Sequence, residues 1–224
     1  MARIARVVVP NLPHHITQRG NRRQKTFFNK SDYEEYISLM RTFCRLHNIK
    51  IWAYCLMPNH VHLIAVPKNQ NSLAKAIGEA HRRYTRMVNF REGWRGHLWQ
   101  GRFSSFPLDE PYLLSATRYI EMNPVRSKLV ESPFDWPWSS AKVHLLGIGD
   151  GLVDINPLSE MVGDWKLFLK EDISDIKTFR KHEHTGRPLG NREFIDKCEI
   201  LLNRVLHYKK PGPKGPNKKK YLKN

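Results

Sequence analysis

His60 and His62 stand one residue apart at the head of His60-Val61-His62-Leu63-Ile64, a run that otherwise has the composition of a buried β-strand. Successive strand side chains point to opposite faces, so both imidazoles share one face while Val61 and Leu63 pack on the other. Two imidazoles so placed can converge on one metal ion; the plainer alternative is a half-exposed strand with two ordinary polar positions. Further along, Tyr119 and Asn123 lie four apart in Arg118-Tyr119-Ile120-Glu121-Met122-Asn123-Pro124. On a helix this spacing puts a phenol and a carboxamide on one face, free to address the histidines together. A tyrosine oxygen attacks a phosphodiester when a divalent ion withdraws charge from the phosphate, and an amide oxygen suits a third ligand position beside two imidazoles. Taken singly, Tyr119 has the bland reading of a packed helical tyrosine, and Asn123 that of a helix end before proline. Together they supply the parts of a strand-nicking site. Glu121, two residues from Tyr119, falls on another helix face and is assigned a structural or DNA-side role.

The composition names the partner. The 224 residues carry 38 Lys and Arg against 21 Asp and Glu, a formal net charge of +17. An enzyme of small metabolites gains nothing from such self-repulsion, whereas a polyanion is attracted by it. No apolar run approaches the roughly 20 residues of a membrane span, so nucleic acid is the preferred polyanion. Nothing after Met1 resembles a secretion signal, and the expectation is an intracellular protein. Cys44, Cys55 and Cys198 are odd in number and widely spaced, which indicates buried or inert thiols.

The chemistry-bearing residues need elements to hold them. A strand is expected at residues 14–18, followed by a donor-rich turn, Arg19-Gly20-Asn21-Arg22-Arg23-Gln24-Lys25, suited to phosphates. A helix opens at the capping box Ser31-Asp32-Tyr33-Glu34 and buries Tyr36, Ile37, Met40, Phe43 and Leu46. Strands at 49–56 and 60–66 flank a tight turn at Met57-Pro58-Asn59, then come a helix at 72–90, a strand at 102–108 and a helix at 111–122 opened by Asp109 or a nearby acid. The order β-α-β-β-α-β with an appended helix indicates an α+β, ferredoxin-like (split βαβ) domain: an antiparallel sheet with helices on one face. Residues 1–146 form this domain. Residues 147–208 read as a small, mostly helical C-terminal module, with a helical run at 159–170, a charged link at 177–188, and a helix at 191–207 carrying Phe194, Cys198, Leu201, Leu202 and Val205 on one side. Residues 209–224, rich in Lys, Pro and Gly, have the composition of a disordered basic tail.

Basic residues gather where DNA would lie. Arg82, Arg83 and Arg86 cluster on the second helix, and Arg19, Arg22, Arg23 and Lys25 follow the first strand. Arg187, in Gly186-Arg187-Pro188 ahead of the lysine tail, is a weaker candidate. Trp94, Trp99, Trp136 and Trp138 offer stacking faces for bases, although core packing suits most of them better.

Four motifs, in order, resemble the single-tyrosine HUH transposases, and most closely the REP-associated tyrosine transposases of bacteria. They are Ile16-Thr17-Gln18-Arg19-Gly20-Asn21, Tyr54-Cys55-Leu56-Met57-Pro58-Asn59-His60-Val61-His62-Leu63, Leu98-Trp99-Gln100-Gly101-Arg102-Phe103, and Arg118-Tyr119-Ile120-Glu121-Met122-Asn123-Pro124-Val125-Arg126. The resemblance covers about residues 10–145. It implies a ferredoxin-like nuclease in which His60 and His62 are the HUH pair, Tyr119 attacks a DNA phosphate, and Asn123 completes a magnesium or manganese site. It further implies a 5′-phosphotyrosine intermediate, a free 3′-hydroxyl, and single-stranded, hairpin-forming (REP-like) DNA as substrate. Arg102 and Arg126, within the motifs, join the expected DNA-binding set. The implied setting is the bacterial cytoplasm, in association with the nucleoid. Relatives use Tyr119 either in its own subunit or across a dimer; a monomer is favoured here and a homodimer stays open.

Three rival readings remain. A ferredoxin-like sheet can bind single-stranded nucleic acid without cutting it. An alternating histidine triad would make a nucleotide hydrolase, but Ile64 stands where its third histidine belongs. A zinc amidohydrolase barrel needs more repeated βα units than this length provides.

Overall fold

A computed structural model describes residues 4–173 and 175–208. The basic tail expected at 209–224 lies outside the described residues. Four strands, β1 (His14–Arg19), β2 (Ile49–Met57), β3 (His60–Pro67) and β4 (Ser104–Pro107), form one antiparallel sheet in the order β2-β3-β1-β4. Between them run α1 (Lys30–Leu46) and α2 (Ser72–Glu92), giving the ferredoxin-like arrangement expected from the sequence.

Strand alternation divides the sheet into two working faces. Ile16, Val61, Leu63 and Ala65 enter a core with Tyr36, Met40 and Phe43 of α1 and with Leu73, Ile77, Ala80 and Tyr84 of α2. Deleting one such side chain costs about 2–5 kcal/mol. β2 serves both faces through an irregularity between Ile51 and Ala53, where Trp52 is the extra residue. Pleating alone would put Ile51 and Ala53 on one face; the extra residue sends Ile51 to the α1–α2 core and Ala53 to the opposite one.

That opposite face is also roofed. It is covered by α3 (Glu110–Glu121), α6 (Asn156–Met161), α7 (Trp165–Lys170) and α8 (Ile176–Thr185), with α4 (Asn123–Arg126) and α5 (Ala141–Leu146) at its margin. Leu158, Trp165, Phe168, Leu169 and Phe179 share a hydrophobic cluster with Ile64 and Phe106 of the sheet and with Tyr119 and Ile120 of α3. The C-terminal segment therefore packs into the sheet's second core, and helices lie on both faces rather than one. A third, smaller cluster joins Val7 and Val9 near the start of the chain to Cys198 of α9 (Arg192–Leu202) and to Leu206.

Several element boundaries differ from the sequence expectation. The α1 cap is Asn29, whose side chain accepts from the Asp32 amide, and not the Ser31 box. Asp32 is buried and accepts instead from the Phe28 amide and the Arg91 guanidinium. Leu46 is exposed. The strand expected at 102–108 shortens to Ser104–Pro107, and the helical run at 159–170 breaks into α6 and α7 around Val162-Gly163. The charged link at 177–188 is largely the helix α8. The helix expected at 191–207 is α9, capped by Asn191, which accepts from the Phe194 amide; it ends at Leu202, and Leu201 and, beyond the helix, Val205 are exposed. All three cysteines are buried and free.

Candidate active site

The histidine pair opens β3 on the second face, and its neighbours follow from register. Arg19 of β1 pairs with His60, Thr17 with His62, and His15 with Ile64. His15, Thr17, His60 and His62 thus share one side of adjacent strands. The ring of His15 stacks on that of His62 at 5.3 Å between centroids, with His15 Nε2 3.1 Å from His62 Nδ1. His60 lies edge-on to His62 at 5.0 Å, and its Nδ1 is 2.6 Å from Asn59 Oδ1. An amide oxygen only accepts, so His60 Nδ1 carries the proton and Nε2 keeps its lone pair.

Burial keeps this cluster uncharged. It lowers His60 to about 4, assisted by the charge of Arg19, and His15 to about 3. His62 is held well below the ordinary histidine range by burial, then by His60, His15, Arg19 and Arg126. All three imidazoles are therefore neutral near pH 7, the form a metal requires. His62 Nε2 is buried with no hydrogen-bond partner among the described residues, a costly arrangement that a bound cation would relieve.

The nucleophile candidate comes down from above. Asp109 caps α3, accepting from the Tyr112 amide, and Pro111 sits in the first turn where its missing N–H costs nothing. Near the end of α3, the Tyr119 ring stands edge-on to His62 at 5.5 Å and to His15 at 6.2 Å. Burial raises the Tyr119 hydroxyl, and the Glu183 carboxylate raises it further; the charges of Arg126 and Arg180 pull the other way. The Arg126 guanidinium lies over the Tyr119 ring, 4.6 Å from its centre. Asn123 is buried one turn beyond Tyr119, its amide nitrogen without a partner among the described residues.

Two working side chains went unread in the sequence. Glu183 of α8 reaches the cluster: Thr17 Oγ1 donates to its Oε1 at 3.0 Å, and the Ser104 hydroxyl donates to its backbone carbonyl. Burial raises the Glu183 carboxyl, opposed by the Thr17 hydrogen bond and by Arg19. Donor atoms of His15, His62 and Glu183 all lie within 4.8 Å of one another. His60 stands beside this tight group. His15 was legible from strand parity, since it shares a face with Thr17 and not with Ile16. Glu183 carried no such signal, because His182-Glu183-His184 sits among charges with a single buried aromatic, Phe179, to mark a helix.

The expected DNA-binding residues fall into separate places. Arg19, Arg23 and Arg102 line one cleft of about 710 Å³ with Tyr119, Arg180 and Glu183. Arg22 lines a neighbouring hollow with Trp94, Arg95 and His97, and Lys25 is exposed on the same loop. Gly20 lets that loop close onto the β2–β3 turn, its amide donating to Asn59 O at 2.8 Å; an added Cβ would meet Gln24 O at 2.3 Å. Arg82, Arg83 and Arg86 lie across the sheet on the exposed side of α2, where Arg82 and Arg83 both pair with Glu79. Arg126 serves Tyr119, and Arg187 binds the carbonyls of Leu206 and His207. Of the tryptophans, Trp99 is core, Trp136 and Trp138 are partly buried against it, and Trp94 is the most exposed, edge-on to Phe28.

The sequence model of the IS200-like transposases matches residues 8–123. This chain belongs to that family. A Haemophilus influenzae protein assigned as a REP-associated tyrosine transposase is 30% identical over 122 residues, which are 49% of this chain and 69% of the relative. A solved REP-associated tyrosine transposase, bound to a REP hairpin, shares the fold with a TM-score of 0.56 at 20% identity, over 85% of this chain and 100% of that one. The chain is thus a transposase of the REP-associated tyrosine type. Among the described residues no helix is long and apolar enough to cross a membrane.

Proposed function

We propose that this transposase nicks and rejoins single-stranded DNA beside a REP-like hairpin, with Tyr119 as nucleophile. The observation that carries the reading is the Tyr119 ring set edge-on to His62 at 5.5 Å within one chain. The hairpin bound by the solved relative supports the substrate class.

In this reading the Tyr119 oxygen attacks phosphorus and the P–O3′ bond breaks. The protein keeps the 5′-phosphate as a phosphotyrosine, and the leaving oxygen takes a proton to become a free 3′-hydroxyl. Attack by a 3′-hydroxyl on the phosphotyrosine reverses the exchange and restores the phenol, so rejoining needs no nucleotide. Arg126 favours the phenolate through its positive charge, held over the ring. Arg19, Arg23 and Arg102 hold phosphates of the strand in the cleft, while Arg22 and Lys25 extend that basic edge. His60 and His62, with the Asn123 amide oxygen as third donor, would hold a magnesium or manganese ion. The unpartnered His62 Nε2 and the free lone pair of His60 fit such an ion. The chemistry such an ion would supply is withdrawal of charge from the phosphate and its orientation. Since both halves of the site belong to one chain, the active species is a monomer, and the working place is the nucleoid.

The test incubates the protein and a Tyr119→Phe variant with labelled hairpin DNA carrying single-stranded flanks, with and without magnesium or manganese. The expected result is a covalent protein–DNA band that requires metal and disappears in the variant. Tight binding with no band across several hairpins would replace this reading with binding alone. Restoration of cleavage on mixing Tyr119→Phe with a His60→Ala, His62→Ala variant would place Tyr119 across a dimer.

A further inference from the structure

We infer that Glu183, supplied by α8 from the far end of the chain, is itself a ligand of the divalent cation at this site. The inference rests on the metal-dependent reading above and deepens it. Its carboxylate, His62 and His15 offer donor atoms within 4.8 Å of one another, a separation at which one ion can be shared after small side-chain movements.

Three observations point the same way. Magnesium and manganese favour oxygen donors, and two imidazoles with one amide form a neutral set that leaves a hard dication weakly held. Glu183 is the one carboxylate among the described residues lining the cleft, where Arg19, Arg23, Arg102 and Arg180 otherwise oppose a dication. The side chain is also placed from both ends. Ser104 on β4 fixes its backbone carbonyl and Thr17, directly opposite His62 in the sheet, fixes its carboxylate. The Thr17 hydroxyl lies 3.0 Å from Glu183 Oε1 and 3.5 Å from His62 Nδ1, so it spans the two. His15, stacked on His62, holds the ring's orientation from the other side.

The C-terminal segment then has a chemical part in the site as well as a packing one. Without α8, the strand-borne histidines lose the anionic donor and the packing of Phe179 against His15.

The experiment measures manganese binding by calorimetry on full-length, chelator-treated protein, comparing wild type with Glu183→Gln, Glu183→Asp and His60→Ala. Glutamine preserves shape and the bond accepted from Thr17, and circular dichroism with a metal-free melting curve checks that each variant is folded. The expected result is affinity weakened about tenfold or more in Glu183→Gln, an intermediate loss in Glu183→Asp, and a similar loss of the manganese-induced rise in Tm. Wild-type affinity in folded Glu183→Gln, with His60→Ala impaired, overturns the inference and leaves the nicking reading standing. Weakened binding in Glu183→Gln with no Tyr119-dependent adduct from any protein upholds the ligand and removes the nicking reading instead.

Discussion

The Trp165 indole N–H donates to Oε2 of Glu121 at 2.7 Å, tying α7 to the helix that carries Tyr119. The same carboxylate accepts through Oε1 from Ser140 Oγ at 2.5 Å and from His144 Nδ1 at 2.7 Å, and it is fully buried. Three donors from two segments, Ser140 and His144 at α5 and Trp165 of α7, thus converge two residues beyond Tyr119. Glu121→Ala strands all three and is expected to cost about 3–5 kcal/mol, read as a lower urea midpoint. Trp165→Phe removes one charge-assisted bond, about 1.5–3 kcal/mol. Loss of adduct formation in proportion to the loss of fold would mark Glu121 as structural; a folded variant with abolished cleavage would give it a direct part in the chemistry.

Arg126 makes a separate prediction because it touches the phenol itself. Arg126→Gln removes a positive charge that lowers the Tyr119 hydroxyl, leaving burial and Glu183 to raise it. Adduct formation should fall by tenfold or more, and its pH–rate profile should shift to higher pH. A uniform fall with an unshifted profile would show that Arg126 acts on DNA rather than on Tyr119.

Acid stability tests two histidines outside the site. Burial lowers His14 to about 4 and His81 to about 3. His14 Nε2 accepts from the Val9 amide at 3.1 Å, and His81 Nε2 meets the Tyr36 hydroxyl at 2.8 Å. Between about pH 6.5 and pH 4 the unfolded chain takes up protons that the folded one refuses, so each histidine makes stability fall with falling pH by about 1.4 kcal/mol per unit. Glu183, raised by burial, acts with opposite sign above its ordinary value near 4.5. Urea titrations across this window should show a net loss toward acid, and His81→Gln should flatten the slope by one group's share. An unchanged slope would mean that His81 titrates normally in the fold.

The arginine clusters should separate by function. Replacing Arg19 and Arg23 with Gln is expected to weaken hairpin binding and cleavage together, reducing the salt slope by about 0.7–0.9 per lost phosphate contact. Replacing Arg82 and Arg86, across the sheet, should leave cleavage of bound DNA intact. Equal cleavage defects in both sets would place the DNA around the molecule rather than in the cleft.

Gly20 has an ordinary φ of −59°, so its requirement is space rather than backbone freedom. Gly20→Ala pushes a methyl against Gln24 O and Thr26 Cγ2, and about 1–3 kcal/mol of stability should be lost. Displacement of Arg19 and Arg23 should weaken DNA binding beyond what the melting curve explains.

Much of the site was legible because it follows local periodicity. The two-residue period puts His60 and His62 together, and the four-residue period pairs Tyr119 with Asn123. The order of strands and helices along the chain could be read for the same reason, since Ile16 and Val61 stand between polar neighbours. What escaped depends on tertiary contact. Asn29 outcompeted Ser31 as a cap because Asp32 is drawn into a buried pair with Arg91. The α8 segment read as a link because its burial rests on Phe179 and Thr185 against a sheet that local sequence does not reveal. Arg187 read as a DNA contact, yet its charge is spent on chain carbonyls.

The small cluster of Val7 and Val9 against Cys198 and Leu206 imposes an order on biosynthesis. On the ribosome the four strands emerge well before α8 and α9, so a nascent chain can complete its sheet while Glu183 is still unmade. The leading segment packs early on the sheet core through Val8 and on Phe103 through Arg6, but Val7 and Val9 stay uncovered until α9 arrives. Assembly of the site is thereby coupled to synthesis of α8, and a fragment released before it would carry the histidines and Tyr119 without the helix whose Phe179 packs on His15 and Tyr119.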